Sequence, residues 1–329
     1  MRQFFILLLS YVILMSGSLV KAQPSETLQS ETLQSETVLA SAESPTVALL
    51  ADNETEKVLS YRTQGSGPAV YLLADGPGMS SHYLDEVGEA FAGKGFTAVV
   101  PESRHASYFG TLSEGDITLD SYVEDIESLR SSRGDKEIIL FGHKWGAILA
   151  MAYLTKYGGN VKKVVLSGPA GAHLGYFQSY GQRLVQKVSP YEQNLVEKLR
   201  DSIDNGGDRQ VLSREILRVT SIAMLHNKEK HSQDLEDRFI SKTDFNEDVY
   251  STMIKHMRSS GYDLRDDLNR FYRPVLVVQG EFDLSGQHHA MGLSDDFPDG
   301  SFKMIQESAA YPWIENSQEY YNAIFNFVN

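Results

Sequence analysis

The sequence predicts a doubly wound α/β fold: a mostly parallel sheet with a helical cap insertion. Three observations predict it. Apolar runs of strand length alternate along the chain with amphipathic stretches of helical length. Several of these runs, such as IILF at 138–141 and VLVV at 275–278, are apolar throughout, which is typical of parallel strands that helices cover on both faces. Between about 172 and 273 the alternation stops, and long polar helical stretches follow one another.

The N-terminal 22 residues are typical of a secretory signal peptide. A basic residue precedes an apolar run at 4–15, and a small-residue cleavage site ends at Ala22. We therefore expect a secreted or periplasmic protein with no integral membrane domain after cleavage. The alternative is an uncleaved N-terminal membrane anchor, although the segment is at the short end of what spans a bilayer. The chain has no cysteine, which excludes a lipoprotein anchor, disulfides and a thiol nucleophile.

A polar segment follows at 23–52, in which SETLQ occurs at 25–29 and again at 30–34. A repeat this polar cannot bury enough apolar surface to offset its chain entropy. We therefore predict a disordered tether rich in Ser, Glu and Thr. The remaining chain divides into an α/β core at 53–171 and 274–329 and a helical cap at 172–273. Strands are predicted at 57–62, 70–73, 97–100, 138–141, 164–166, 275–279 and 302–306, and helices at 82–92, 119–130, 145–157 and 317–328.

The net charge of -14 argues against nucleic-acid binding, because phosphate contacts require clustered Lys and Arg. The glycine-rich runs lack the Lys-Ser/Thr ending of a phosphate loop, and no spacing of histidines and carboxylates indicates a metal site. We therefore expect no cofactor and no metal. Because a ligand crevice lies at the carboxyl ends of such strands, a cap there would enclose a small molecule or peptide. The oligomeric state stays open.

The most informative stretch runs from 138 to 150. Its buried strand passes through Gly142 and Gly146, on either side of Lys144, directly into a helix, and the two glycines leave room for a tight turn. This arrangement resembles the nucleophile elbow of the α/β-hydrolase superfamily. Four further segments resemble the proline iminopeptidase branch of that superfamily: ADGPG at 74–78, YDLRDDL at 262–268, GEFD at 280–283 and YPWIEN at 311–316.

The resemblance implies a capped hydrolase with a Ser-His-Asp triad, but two of the three catalytic residues are replaced. Lys144 stands at the nucleophile position, and Ala310 stands where the histidine is expected. Asp283 matches the acid. The branch's HGGPG segment also loses its histidine to Ala74 and its first glycine to Asp75. Losing both serine and histidine removes the proton shuttle on which such hydrolysis depends.

The oxyanion hole is expected to survive, because its donors are backbone N–H groups, here those of Gly76 and Trp145. Together with Lys144 they would make a carboxylate-binding site. The Trp145 side chain either takes part in ligand binding or packs against the cap. Four aromatic residues of the insertion either line a pocket or form the cap's own core: Tyr176, Phe177, Tyr180 and Tyr191.

Lys144 admits two interpretations. A neutral amine in this site would be a nucleophile, while a charged one would fill the space left by the lost imidazole. We predict an ion pair between Lys144 and Asp283, with Asp75 as the second candidate partner. We expect His143 to point away from the site. Four further polar residues are interpreted as ordinary loop residues: Ser285, His288, His289 and Ser308.

Two functions follow from these observations. The first is a secreted pseudoenzyme that binds a small molecule, peptide or protein in the former active-site pocket. The second is an active hydrolase, peptidase-like or esterase-like, or a lyase, with a non-standard site around Lys144 and Asp283. The state of Lys144 separates them, because a free amine favours chemistry and a paired ammonium favours a structural role.

Overall fold

The structure, a computed structural model, describes residues 46–51, 58–104 and 114–329, and it is built on an eight-stranded sheet. The strand order is β1-β2-β4-β3-β5-β6-β7-β8. β1 and β2 pair antiparallel, β2 and β4 pair antiparallel, and all other neighbours are parallel. The strands are β1 (Thr46–Ala51), β2 (Val58–Gly65), β3 (Ala69–Leu73), β4 (Thr97–Pro101), β5 (Ile138–His143), β6 (Val161–Ser167), β7 (Val275–Gly280) and β8 (Gly300–Ile305).

The strand order reverses at β3. The chain leaves β3 for β4 on one side and then returns to β5 on the other side, so β3 lies between them. In an open parallel sheet, the crevice at the carboxyl ends of two such strands is where ligands bind. This point of the sheet therefore positions the residues that follow β3 and β5.

Helices cover the sheet and extend over that crevice. The helix that follows β5 is buried from its first residue through Leu154, so it lies at the centre of the molecule. The helices are α1 (Asp85–Ala92), α2 (Leu119–Arg133), α3 (Trp145–Tyr157), α4 (Gly175–Lys187), α5 (Pro190–Asp204), α6 (Arg209–Ala223), α7 (Lys228–Arg238), α8 (Glu247–Ser260), α9 (Arg265–Leu268), α10 (Gln287–Asp295), α11 (Pro312–Glu315) and α12 (Ser317–Val328).

The segment between β6 and β7 is helical and contains α4 to α9, within the predicted insertion at 172–273. α5 and α6 share a small apolar cluster of their own, formed by Val196, Ile203, Ile216 and Val219. Other residues of the insertion, among them Tyr176 and Val249, belong to the main core. The insertion is thus tied to the α/β core by common apolar packing.

Three elements outside the insertion differ from the sequence-based prediction. β1 lies inside the predicted tether at 23–52, because TVALLA is an apolar, partly β-branched run that pairs with β2 along its whole length. The polar repeat before it dominates the composition of 23–52, so the sequence assigns this short apolar run to the tether. The sequence predicts neither α10 nor α11, since QHHAMGLSD carries little apolar periodicity and the four residues PWIE are too few to show any. The predicted signal peptide and the rest of the tether lie outside the described residues.

No helix within the described part of the chain is long and apolar enough to cross a membrane. This finding concerns residues 46–51, 58–104 and 114–329, and the predicted N-terminal anchor lies outside them.

The close approach of α3 to β3 predicts a difference between two helical glycines. A Cβ at Gly146 would lie 2.0 Å from the backbone oxygen of Leu73, whereas a Cβ at Gly292 in α10 would meet nothing within 4 Å. We expect Gly146→Ala to lower the free energy of unfolding by about 3 kcal/mol through overpacking. Gly292→Ala should raise it by about 0.5–1 kcal/mol through helix propensity. Chemical denaturation measures both, and equal effects would contradict the tight packing of α3 on β3.

Candidate functional site

The turn between β5 and α3 holds Lys144 at the carboxyl end of the sheet. Its φ of 48° and ψ of −105° are unusual for a residue with a side chain. Glycine is required on both sides, because a Cβ at Gly142 would lie 2.4 Å from the backbone oxygen of Gly146. The Lys144 N–H donates to the backbone oxygen of Ser167 at 3.0 Å, which anchors the turn to β6. The geometry is the tight strand-turn-helix that the glycine spacing indicates.

The Lys144 side chain is 9% exposed and lies among aromatic rings. Its Nζ is 5.7 Å from the ring centroid of Tyr180 in α4 and 5.7 Å from that of Tyr311. Among the described residues, Nζ has no hydrogen-bond acceptor and no carboxylate within 4.0 Å. The predicted ion pair of Lys144 with Asp283 or Asp75 is therefore not formed as a salt bridge within 4.0 Å. The two rings, at cation–π distance, take the place of a carboxylate partner.

The charge of Lys144 nevertheless depends on both carboxylates. Burial lowers the pKa of Lys144, but the negative charges of Asp283 and Asp75, with Tyr311, raise it, and the net shift is above the ordinary value of 10.5. Lys144 is therefore an ammonium ion at neutral pH. It has no lone pair with which to attack a carbonyl carbon.

Asp75, two residues after β3, occupies the expected oxyanion hole. Its Oδ1 accepts the Gly76 N–H at 2.8 Å and the Trp145 N–H at 3.2 Å. These are the two backbone donors expected to stabilise an oxyanion. Burial raises the pKa of the Asp75 carboxyl above its ordinary 3.8, while Lys144 and the two N–H groups oppose that shift. Both N–H groups are thus hydrogen-bonded to the protein's own carboxylate.

A buried chain of hydrogen bonds holds Asp75 in position. The Asp75 N–H donates to the Tyr83 hydroxyl at 2.6 Å, and that hydroxyl lies 2.8 Å from Nδ1 of His143. His143 also packs edge-on against Trp313, with ring centroids 4.7 Å apart. Burial, and secondarily the charge of Lys144, lowers the pKa of His143 well below its ordinary range, so the ring is neutral. His143 therefore supports, from the core side, the floor of the site, which consists of Asp75, Gly76, Lys144 and Trp145.

The loop that follows β7 carries Asp283 and lies beside the segment that carries Ala310. Oδ1 of Asp283 accepts the Ser285 N–H at 2.7 Å, while Oδ2 is buried without a hydrogen-bond partner among the described residues. The Phe282 N–H donates to the backbone oxygen of Ser308 at 2.9 Å, and this places Ala310 beside the loop. Ala310 is 1% exposed and carries only a methyl group. Position 310 therefore offers Asp283 no imidazole.

The remaining polar candidates comprise two hydrogen-bonded serines, one exposed histidine, and His289, which is partly buried and whose Nε2 has no hydrogen-bond partner among the described residues. The Ser285 hydroxyl lies 3.0 Å from that of Tyr176, and the Ser308 hydroxyl donates to the backbone oxygen of Ile305 at 3.0 Å. His288 is exposed. Burial lowers the pKa of His289 to about 4, so His289 is neutral at pH 7. The described residues contain no group of three His, Asp or Glu placed to hold a metal ion.

A cavity of about 50 Å³ lies between this floor and the cap. Three of the four aromatic residues singled out in the sequence line it, but Tyr191 is 78% exposed and lies outside it. Met224 and Tyr250 could not be identified from the sequence, because residues that line a cavity and residues in a core are of the same types. The lining consists of Asp75, Gly76, Lys144, Trp145, Ala170, Tyr176, Phe177, Tyr180, Met224 and Tyr250.

Glu315 was also missed and ties the cap to the core beside the cavity. It is 6% exposed, and its Oε1 accepts the N–H of His226 at 2.7 Å. Its Oε2 accepts the N–H of Ala309 at 2.8 Å. One buried carboxylate thus positions both the cap segment next to Met224 and the segment that carries Ala310.

Comparison with known proteins assigns the family. The family model described as serine aminopeptidase, S33, matches residues 67–292. The chain belongs to the serine aminopeptidase S33 family. The relatives include proline iminopeptidases from several organisms. That of Heyndrickxia coagulans is 26% identical over 287 residues, covering 82% of this chain and 93% of the relative. That of Clostridioides difficile is 22% identical over 300 residues, covering 83% and 93%.

Solved structures agree on the fold. A thermophilic esterase from Thermogutta terrifontis superposes with a TM-score of 0.62 at 18% identity, over 86% of this chain and 98% of the esterase. An alpha/beta fold family hydrolase from Bacillus anthracis superposes with a TM-score of 0.64 at 14% identity, over 86% and 99%. The predicted α/β-hydrolase fold and the proline iminopeptidase branch are thereby confirmed.

The buried charges predict strong coupling between Lys144 and Asp75. In a double-mutant cycle of Lys144→Met and Asp75→Asn at pH 7, we expect a coupling free energy of about 1–3 kcal/mol, because little water screens the two charges. Since the folded-state pKa of Lys144 lies above 10.5, its stabilising contribution is complete at pH 7 and is lost only as the pH rises through that folded-state pKa.

The matched control is the exposed ion pair of Lys156 and Glu124, whose side chains are 39% and 50% exposed. The same cycle there, with Lys156→Met and Glu124→Gln, should give less than about 0.5 kcal/mol. Denaturant titration measures both cycles. A coupling at Lys144 as small as the control's would show that the two buried charges are independent.

Proposed function

We propose that this protein is a non-catalytic member of its family that binds a small molecule in the former active-site cavity. The observation that carries the proposal is the hydrogen bonding of Asp75 Oδ1 to the N–H groups of Gly76 and Trp145. In a serine hydrolase those donors must be free to receive the oxygen on which negative charge develops. A resident carboxylate both blocks them and repels that charge.

Each of the other requirements for acyl transfer is also unmet. Lys144 replaces the serine that would attack, and Ala310 replaces the histidine that would accept its proton. Asp283 keeps its place but meets no imidazole at position 310. The nucleophile, the base and the oxyanion stabilisation are therefore missing together, and only the acid Asp283 remains of the family's catalytic groups.

Lysine-based chemistry is the alternative, and the charge state of Lys144 disfavours it. Formation of a Schiff base requires the neutral amine at the moment of attack. The two carboxylates raise the pKa of Lys144, so the neutral form is rarer than it is for a lysine in water. The site stabilises the unreactive form.

A binding role is supported by the cavity and its aromatic lining. The cavity lies at the reversal point of the sheet, where ligands of open α/β folds bind, and aromatic residues of the cap cover it. Most of its lining is apolar, with Lys144 and Asp75 as the charged groups. Such a composition is typical of small-molecule sites.

Restoring the missing parts one set at a time tests the proposal. We expect the wild type to hydrolyse neither prolyl arylamides nor activated esters. The double variant Lys144→Ser/Ala310→His should also stay inactive, because Asp75 still occupies the oxyanion hole. Adding Asp75→Gly should produce turnover at least about a hundredfold above the double variant, which is the usual effect of one oxyanion donor.

The double variant is the matched control, since it differs from the triple variant only at Asp75. Thermal unfolding should establish that all three proteins are folded at the assay temperature. Wild-type turnover that Lys144→Ala abolishes would overturn the proposal and make Lys144 a catalytic residue.

A further inference from the structure

The floor of the cavity exposes an unused hydrogen-bond donor. Lys144 is nine-tenths buried and lines the cavity, and its ammonium group has no acceptor among the described residues. The rings of Tyr180 and Tyr311 stabilise its charge but accept no conventional hydrogen bond. A buried ammonium with unused N–H groups facing a cavity binds whatever acceptor can enter.

Asp75 provides an unused acceptor on the same floor. Its Oδ1 receives two backbone N–H groups, while its Oδ2 has no hydrogen-bond partner among the described residues. The residue is only partly buried and lines the cavity beside Lys144. The cavity is therefore lined by both a donor and an acceptor, whose charges interact with each other.

We propose that the cavity binds small uncharged molecules that carry a primary amide. The amide oxygen accepts a hydrogen bond from Lys144, and the amide N–H₂ donates to Oδ2 of Asp75. Both groups of the floor are then satisfied by one planar ligand group. This assignment rests on the proposed function, because it requires that the site bind its ligand without cleaving it.

The size and lining of the cavity restrict the rest of the ligand. A volume of about 50 Å³ is a third of the roughly 150 Å³ that holds benzene, so the ligand has only a few non-hydrogen atoms. Its apolar part contacts the aromatic side chains of Tyr176, Phe177, Tyr180 and Tyr250.

Charge selects against ions of the same shape. The carboxylates of Asp75 and Asp283 already oppose the one positive charge of Lys144, so an anion would add a third negative charge to a buried site. A cation of amidine type has only donors and would place them against the ammonium of Lys144. The neutral amide alone matches both the donor and the acceptor.

Three isosteric probes test this selection: acetamide, acetate and acetamidinium, which share one planar four-atom skeleton and differ in charge. The protein has two tryptophans, so its indole N–H spectrum has two resonances. Trp145 lines the cavity, while Trp313 is buried beside His143 and serves as the internal control. At pH 7 we expect acetamide to shift the Trp145 resonance saturably, with a dissociation constant in about the millimolar range. Acetate and acetamidinium should bind at least about tenfold more weakly.

Two variants identify the floor groups. Lys144→Met keeps the length of the side chain but removes the donor, and it should weaken acetamide binding at least about tenfold. Asp75→Asn retains an oxygen for the two backbone N–H groups and turns a donor toward the cavity. In that variant acetate should bind more tightly than acetamide.

Each outcome decides the proposal. Preference for acetamide in the wild type, reversed in Asp75→Asn, supports it. Tighter binding of acetate to the wild type, unchanged acetamide binding in Lys144→Met, or no shift of Trp145 by any probe would overturn the amide assignment. None of these results affects the proposed loss of hydrolysis, which the turnover assay tests separately.

Discussion

The hydrogen bonds from the backbone N–H groups of Gly76 and Trp145 to the Asp75 carboxylate connect the ends of β3 and β5 at the point where the sheet reverses direction. The rest of the site is arranged around them. Because Asp75 uses two donors that a tight strand-turn-helix leaves unpaired, the turn is satisfied without a ligand or substrate. The same carboxylate contributes to the field that keeps Lys144 charged, and Tyr83 and His143 support it from the core side.

The charges of the site depend on one another. Removing a catalytic imidazole would leave Asp283 buried beside an empty volume, which is costly for an isolated carboxylate. Lys144 supplies a positive charge to this region, and Asp75 adds a second negative charge that interacts with it. The charges of Lys144, Asp283 and Asp75 are therefore mutually compatible, although any one of them alone would be an uncompensated buried charge.

The fold could be predicted from the sequence more completely than the contacts of the site. The continuous apolar run of β5, together with the spacing of Gly142 and Gly146, determines a strand, a turn and a helix through local sterics alone. The position of Lys144 follows from that local pattern. Its environment does not, because Tyr180 and Tyr311 come from distant parts of the chain and meet Lys144 only after folding. Charge alone suggests an ion pair with Asp283, whereas the side chain ends at cation–π distance from two rings.

β1 could not be predicted for a different reason, since a polar repeat dominates the composition of the segment before it.

The most direct measurement of the central claim is a pH titration by NMR that follows the Asp75 side-chain carboxyl carbon and the backbone amides of Gly76 and Trp145. If Asp75 occupies the oxyanion hole, both amide resonances should move with the same midpoint as the carboxyl carbon, and that midpoint should lie above the ordinary 3.8, because burial raises the pKa of Asp75. Amide resonances that stay constant while the carboxyl group titrates would show that the two donors are free, and the account of a blocked oxyanion hole would then be wrong.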